Sequence, residues 1–142
     1  MKTILVPVDF SDVTPALVEA AKAFAKAFGS HVILLNVMHS PQMAVSPMGQ
    51  TIALERDVKK DYLQLNELIQ QIEKAGISAT CDQPQGTPAE VILEESAKKS
   101  VDLIIMGSHG HGAIYNLLVG SVTEGVLKSA KCPVVVVPSK QS

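Results

Sequence analysis

The chain has no tryptophan, and two tyrosines with three phenylalanines bring aromatic residues to only 4% of its 142 positions. A hydrophobic share of 46% must therefore come mainly from Val, Leu, Ile and Ala, the filling of a parallel sheet covered by helices. The same scarcity leaves no aromatic platform for an isoalloxazine ring. Charge of one sign is also lacking: a net charge of −2 offers no general attraction to nucleic acid or to acidic membranes, so any anion site must be local. Cys81 and Cys132 stand far apart, with no CxxC spacing and no Cys/His cluster, which argues against a zinc site and a disulfide framework. No apolar run approaches the roughly 18 residues of a membrane span. The start, Met1-Lys-Thr-Ile-Leu-Val, enters a strand without the small-residue cleavage site of a signal peptide. The expected location is cytoplasmic. The chain also lacks GxxxxGK[ST], and with it the lysine that reaches the β- and γ-phosphates in P-loop proteins. Its length is usual for one domain, expected to span residues 1–142.

What is present is an alternation of five short apolar runs with four helical patterns, the signature of βαβ units and a parallel sheet. The runs place strands at about residues 2–8, 31–37, 77–81, 102–106 and 133–137. A first helix from Thr14 to Phe28 is expected to bury Leu17, Ala21, Phe24 and Phe28, with Gly29 as its stop. A second, from about Ile52 to Ala75, aligns Leu54, Val58, Tyr62, Leu65, Ile69 and Ile72 before Gly76. A third opens on Thr87-Pro-Ala-Glu90, a capping box with proline at its first position, and buries Val91, Ile92 and Ala97. Between the second strand and second helix, residues 39–51 hold two prolines and two methionines without a hydrophobic period. This segment reads as a lid, a contact surface or a flexible connection.

The densest local signal is Gly107-Ser-His-Gly110, followed after nine residues by Gly120-Ser121. The apolar run 101–106 leads into it as a strand buried on both faces, and the glycines begin where that strand should end. Ser121-Val-Thr-Glu124 reads as a second capping box with Ser121 at N-cap and Val126, Leu127 and Ala130 on the buried face. The first amides of such a helix lack partners and, with the helix dipole, favour an anion by roughly 0.3–1 kcal/mol per charge at an exposed site. A glycine-rich turn before an ordinary helix is the plainer alternative.

In an open parallel sheet, ligands bind beyond the carboxyl ends of the strands where strand order reverses. The first strand ends in Val6-Pro-Val-Asp9-Phe-Ser11. If it neighbours the fourth strand, as in the order 3-2-1-4-5, Asp9 faces the glycine loop across one crevice. A carboxylate there suits a ribose hydroxyl or an adenine amine, or a divalent metal shared with phosphates, or the capping of the first helix or its preceding turn.

Val6-Pro-Val-Asp9-Phe-Ser11, Gly107-x-x-Gly110 with Gly120-Ser121, and Lys131-Cys-Pro133-Val-Val-Val-Val together resemble the universal stress protein family along essentially the whole chain. The resemblance implies an α/β fold of the adenine nucleotide alpha hydrolase-like type: a single open five-stranded parallel sheet, order 3-2-1-4-5, with helices on both faces. It also implies the ATP-binding pattern and a homodimer paired through Val134–Val137, which would otherwise be an exposed apolar edge. Carried onto this sequence, Pro7, Val8 and Asp9 would line the adenosine pocket with the backbone around Val37. Met106 and Gly107 would flank the ribose. Amides near His109, Gly110, Gly112, Gly120, Ser121 and Val122 would hold the phosphates of ATP, ADP or AMP, with Mg²⁺ or Mn²⁺ entering only alongside the nucleotide, through Asp9.

One departure concerns charge. Similar proteins often carry Lys or Arg after the second glycine, where this chain has His111, Ala113, Tyr115 and Asn116. An imidazole is mostly neutral at pH 7, so phosphate binding would rest on amides, a hydroxyl, a metal, and His109 or His111 when protonated. Phosphoryl transfer needs dense positive compensation. The expectation is a nucleotide-dependent regulator or sensor with at most slow ATP hydrolysis. A weak ATPase or nucleotidyl-transfer enzyme, or a nucleotide-independent dimeric interaction module, are the alternatives.

Overall fold

The structure, a computed structural model, describes residues 1–38, 58–109 and 119–139, together with the backbone course of 42–45 and 51–54. In chain order the elements are β1 (Thr3–Pro7), α1 (Thr14–Phe28), β2 (His31–Leu35), β3 (Gln42–Val45), β4 (Thr51–Leu54), α2 (Val58–Lys74), β5 (Ala79–Asp82), α3 (Pro88–Lys98), β6 (Leu103–Gly107), α4 (Ser121–Ser129) and β7 (Val134–Val137).

Ile4, Leu5 and Val6 are all fully buried, yet they serve two different cores. Ile4 and Val6 pack with Val32, Leu34, Leu103 and Ile105 under α1 and α2, whereas Leu5 packs with Ile33, Leu35, Ile104 and Met106 under α3 and α4. The two-residue period of a strand turns each continuous apolar run into two layers, so a sheet covered on both faces needs no polar alternation. The order is β5-β2-β1-β6-β7, with every pairing parallel. Numbering these five strands alone gives the expected 3-2-1-4-5. Among the described residues no helix is long and apolar enough to cross a membrane.

Apart from the start of the second, the helices sit where expected, but each leaves one residue of its predicted face exposed. In α1 the buried residues are Thr14, Leu17, Val18, Ala21 and Ala25. Phe28 is 51% exposed and stacks on the partly buried Phe24, with ring centroids 6.4 Å apart. Small residues at 21 and 25 let the helix settle close to the sheet, and the aromatics are displaced to the flank. Gly29 ends the helix in the left-handed conformation, φ 65°, as its position predicts. In α2 the core contacts are Leu65, Ile69 and Ile72, while Tyr62 is exposed. Ala97 of α3 and Leu127 of α4 also face solvent.

The start of the second helix requires a correction. Residues 51–54 are not helical: β4 pairs antiparallel with β3, Gln42 opposite Leu54 and Val45 opposite Thr51, as a separate two-stranded sheet. Thr-Ile-Ala-Leu fits both a helical period with α2 and a strand, and short apolar runs are ambiguous in this way. Availability of a partner strand across a Pro- and Gly-containing connection decides for the hairpin. Residues 39–41 and 46–50 of the expected lid or contact segment lie outside the described residues.

Candidate functional site

The ladder between β1 and β6 contains Ile4 opposite Leu103 and Leu5 opposite Ile104. Beyond that point each strand keeps only its outer neighbour, β1 with β2 as far as Pro7 opposite Leu35 and β6 with β7 as far as Gly107 opposite Val137. Pro7 has no N–H to offer across the gap. The central pair therefore parts at the switch point, where the crossovers on either side run in opposite directions. Gly107 forms the tight contact below the opening: a Cβ there would lie 2.8 Å from Val13 Cγ1 and 3.3 Å from the His109 carbonyl. Only glycine lets the end of β6 lie so close to the start of α1.

On the β1 side, Val8 is buried and Asp9 exposed. Asp9 Oδ1 accepts the Ser11 N–H at 3.0 Å, so the turn-capping role expected of this carboxylate is realised at one oxygen. The turn also puts Phe10 at φ 61°, a conformation that bulky residues rarely adopt. Ser11 Oγ and Thr14 Oγ1 are buried and lack hydrogen-bond partners. Val37 is half-buried against the α3/α4 core. It follows Asn36, whose Nδ2 donates to the Val8 carbonyl at 2.9 Å and whose N–H donates to the Asp82 carbonyl at 3.0 Å. Buried Asn36 thus ties together the ends of β1, β2 and β5.

On the β6 side, Met106 is buried and the chain turns through Ser108 and His109 toward α4. The expected N-cap is off by one residue. Gly120, extended at φ −75° and ψ 168°, holds the N-cap position and Ser121 is the first helical residue. Gly120 N–H donates to the Ser108 carbonyl at 2.7 Å, and its own carbonyl accepts the Glu124 N–H at 2.9 Å. Neither expected capping box forms, since no side-chain cap bond is made at α4 or at α3, where Thr87 is nevertheless the N-cap and Pro88 follows it. Glu124 instead pairs with Lys128 at 3.1 Å on the surface.

This geometry changes how the cradle works. The amides of Ser121, Val122 and Thr123 have no acceptor within the helix, and a glycine N-cap supplies no oxygen to cover them. Thr123 Oγ1 is turned away, donating to the Gly107 carbonyl at 2.7 Å. A helix of this kind presents donors and a positive dipole end to an anion. Of the predicted site residues, Pro7, Val8, Asp9 and Val37 lie at the ends of β1 and β2, and Met106, Gly107, His109, Gly120, Ser121 and Val122 at the end of β6 and start of α4. Gly110, Gly112, His111, Ala113, Tyr115 and Asn116 lie outside the described residues.

Asn36, Ser108 and Thr123 escaped the sequence reading. Each is a polar residue at a strand end or inside the glycine motif, and nothing in the spacing says that its side chain will turn inward. Among the described residues no group of three His, Cys, Asp or Glu could hold a metal ion. Asp9 would contribute to such an ion only together with ligand oxygens.

A doubly wound parallel sheet with a glycine-capped helix at its switch point is an α/β architecture whose ligand sites lie beyond the carboxyl ends of its strands. The chain belongs to the universal stress protein family, whose profile matches residues 1–138. It is 33% identical to universal stress protein MJ0531 of Methanocaldococcus jannaschii over 99% of this chain and 85% of the relative. Solved structures of other family members share its fold, among them the following. That of protein MJ0577, from the same organism, superposes with a TM-score of 0.78 at 31% identity, covering 99% of this chain and 98% of the other. A universal stress protein in complex with cAMP gives 0.73 at 23% identity, covering 98% of each chain. One from Archaeoglobus fulgidus in complex with dAMP gives 0.71 at 19% identity, covering 96% and 97%.

Proposed function

We propose that this chain is an ATP-binding member of its family, a nucleotide-dependent regulator or sensor in the stress response that works as a single domain in the cytoplasm. The observation that carries the reading is the uncapped start of α4 beside the parted ends of β1 and β6. Two relatives in complex with cAMP and dAMP support an adenine nucleotide as the ligand. In this reading Pro7, Val8, Asp9 and Val37 hold the adenosine, Met106 and Gly107 flank the ribose, and amides of His109, Gly110, Gly112, Ser121 and Val122 hold phosphate. Gly120 keeps the cradle open by having no side chain. Mg²⁺ or Mn²⁺ enters with the nucleotide, between Asp9 and the phosphates.

Hydrolysis is at most slow, because no Lys or Arg stands between Gly110 and Gly120 to neutralise charge developing during phosphoryl transfer. The protein assembles as a homodimer through β7. This strand lies at the sheet edge, and its four valines are only half-buried, a combination that proteins normally cover.

Mass spectrometry of nucleotide released by acid from fresh protein, then calorimetric titration of the emptied sample with ATP with and without Mg²⁺, tests the reading. Bound adenine nucleotide or micromolar binding supports it. Absence of both refutes it and leaves a dimeric interaction module.

A further inference from the structure

Ser108 and His109 are both buried, at 6% and 9% exposure, and stand where three segments meet. Ser108 N–H donates to the Val137 carbonyl at the end of β7 at 2.9 Å, while the Ser108 carbonyl accepts the Gly120 N–H at 2.7 Å. Its hydroxyl accepts the Ser139 N–H at 3.1 Å and lies 3.1 Å from His109 Nδ1. The histidine in turn packs against the α4 N-cap: a Cβ at Gly120 would sit 3.6 Å from His109 Cα and 3.8 Å from Cδ2.

Proton counting gives these contacts a direction. A hydroxyl has one hydrogen and two lone pairs. Ser108 Oγ accepts the Ser139 amide and could accept from the ring as well, but His109 Nδ1 is the one acceptor these contacts offer its buried hydroxyl hydrogen, so donation to Nδ1 is the arrangement that leaves no hydrogen unbonded. The ring must then carry its own proton on Nε2.

We propose that Ser108 is the positioning residue of the anion cradle. Its hydroxyl passes a hydrogen bond from the Ser139 amide to His109, fixes that ring as the Nε2–H tautomer, and holds the start of α4 in register with the end of β7. The link to ligand binding rests on the nucleotide reading above, whereas the tautomer does not. The phosphate-facing helix start and the C-terminal segment beyond the edge strand are thereby joined by one side chain, so a change at either is felt at the other.

Two variants break the relay at different places. Ser108→Ala removes the hydroxyl, and Ser139→Pro removes the amide hydrogen at the far end, together with the Ser139 hydroxyl, while leaving every residue of the cradle unaltered. Nitrogen-15 correlation spectra of the imidazoles, recorded near pH 8 without ligand, report the tautomer. The expected result is Nε2–H for His109 in the unaltered protein and mixed tautomers in Ser108→Ala. In Ser139→Pro, the Ser108 hydroxyl is freed to rotate and the Nδ1 bond signature weakens. ADP titration of the same samples should show binding weakened about threefold to tenfold in each variant, the loss of one neutral hydrogen bond acting through position. An Nδ1–H tautomer in the unaltered protein, or a His109 spectrum unchanged in both variants, overturns the proposal. If the unaltered protein binds no ADP yet shows the tautomer and its loss in the variants, the nucleotide reading fails and the positioning role stands.

Discussion

Replacing Gly120 by aspartate should stabilise the fold and cripple its site at once. The N-cap has ordinary extended dihedrals, and an added Cβ would have its nearest neighbour, the Ser108 carbonyl, at 3.5 Å, so the backbone and the space both admit a side chain. An N-cap carboxylate in place of glycine gains a few tenths of a kcal/mol from capping and roughly 0.3–1 kcal/mol from the helix dipole, about 1 kcal/mol together. For a domain of this size that raises the melting temperature by about 2–4 °C. The same carboxylate occupies the place where phosphate oxygens would sit. A like charge about 4 Å away at an effective dielectric near 20 costs about 4 kcal/mol, and after salt screening a loss of at least about tenfold in ADP affinity should remain. Gly120→Ala separates shape from charge: alanine is a poorer N-cap than glycine, so it should lower stability by about 0.5–1 kcal/mol. Calorimetric melting and ADP titration of both variants give the comparison. An aspartate variant that melts higher and binds ADP as before would refute the location of the ligand. One that melts lower than the alanine variant would refute the cap.

Three further outcomes follow from the packing and from perturbed acids. Gly107→Ala drives a methyl against Val13, whose branched side chain has little room to turn, and should cost about 1–3 kcal/mol in urea unfolding. The Asp102 carboxyl is held below its ordinary value of 3.8 by hydrogen bonds from the Lys2 and Thr3 amides. Its contribution is therefore present above that ordinary value and is lost as pH falls through the lowered one, so Asp102→Asn should flatten the acid limb of the melting curve. Burial pushes both thiols, Cys81 and Cys132, above their ordinary 9.0. Ellman's reagent should react slowly with the folded protein at pH 7 and faster as pH passes 9, and fast reaction at pH 7 would contradict the burial.

The strands were legible because a run such as Ile4-Leu5-Val6 has one reading when flanked by helices: buried on both sides. Order at the switch point was legible for a related reason, since alternating βα units leave few topologies. Helix faces were less so. Phe28 and Leu127 match the hydrophobic period as well as Val18 and Thr123 do, and only closeness to the sheet favours the smaller side chains. Ile52 and Leu54 fit two periods, and the pairing that chose between them is with Ala44 and Gln42, outside the run itself. Among site residues, glycines and Asp9 announce themselves by type. Ser108 and Asn36 act through hydrogen bonds to backbones distant in sequence, and residue identity carries no trace of those partners.

The division of every central strand between two hydrophobic layers has a consequence for how this protein can change. Leu17 and Ile92 lie on opposite sides of the sheet and belong to separate packed clusters, with a layer of backbone between them. Substitutions confined to different layers should add in their effects, while those within one layer should compensate or conflict. One face can therefore drift in sequence and repack while the other stays as it is, whereas the strand ends that frame the crevice draw on both, Val8 on one layer and Val37 and Met106 on the other.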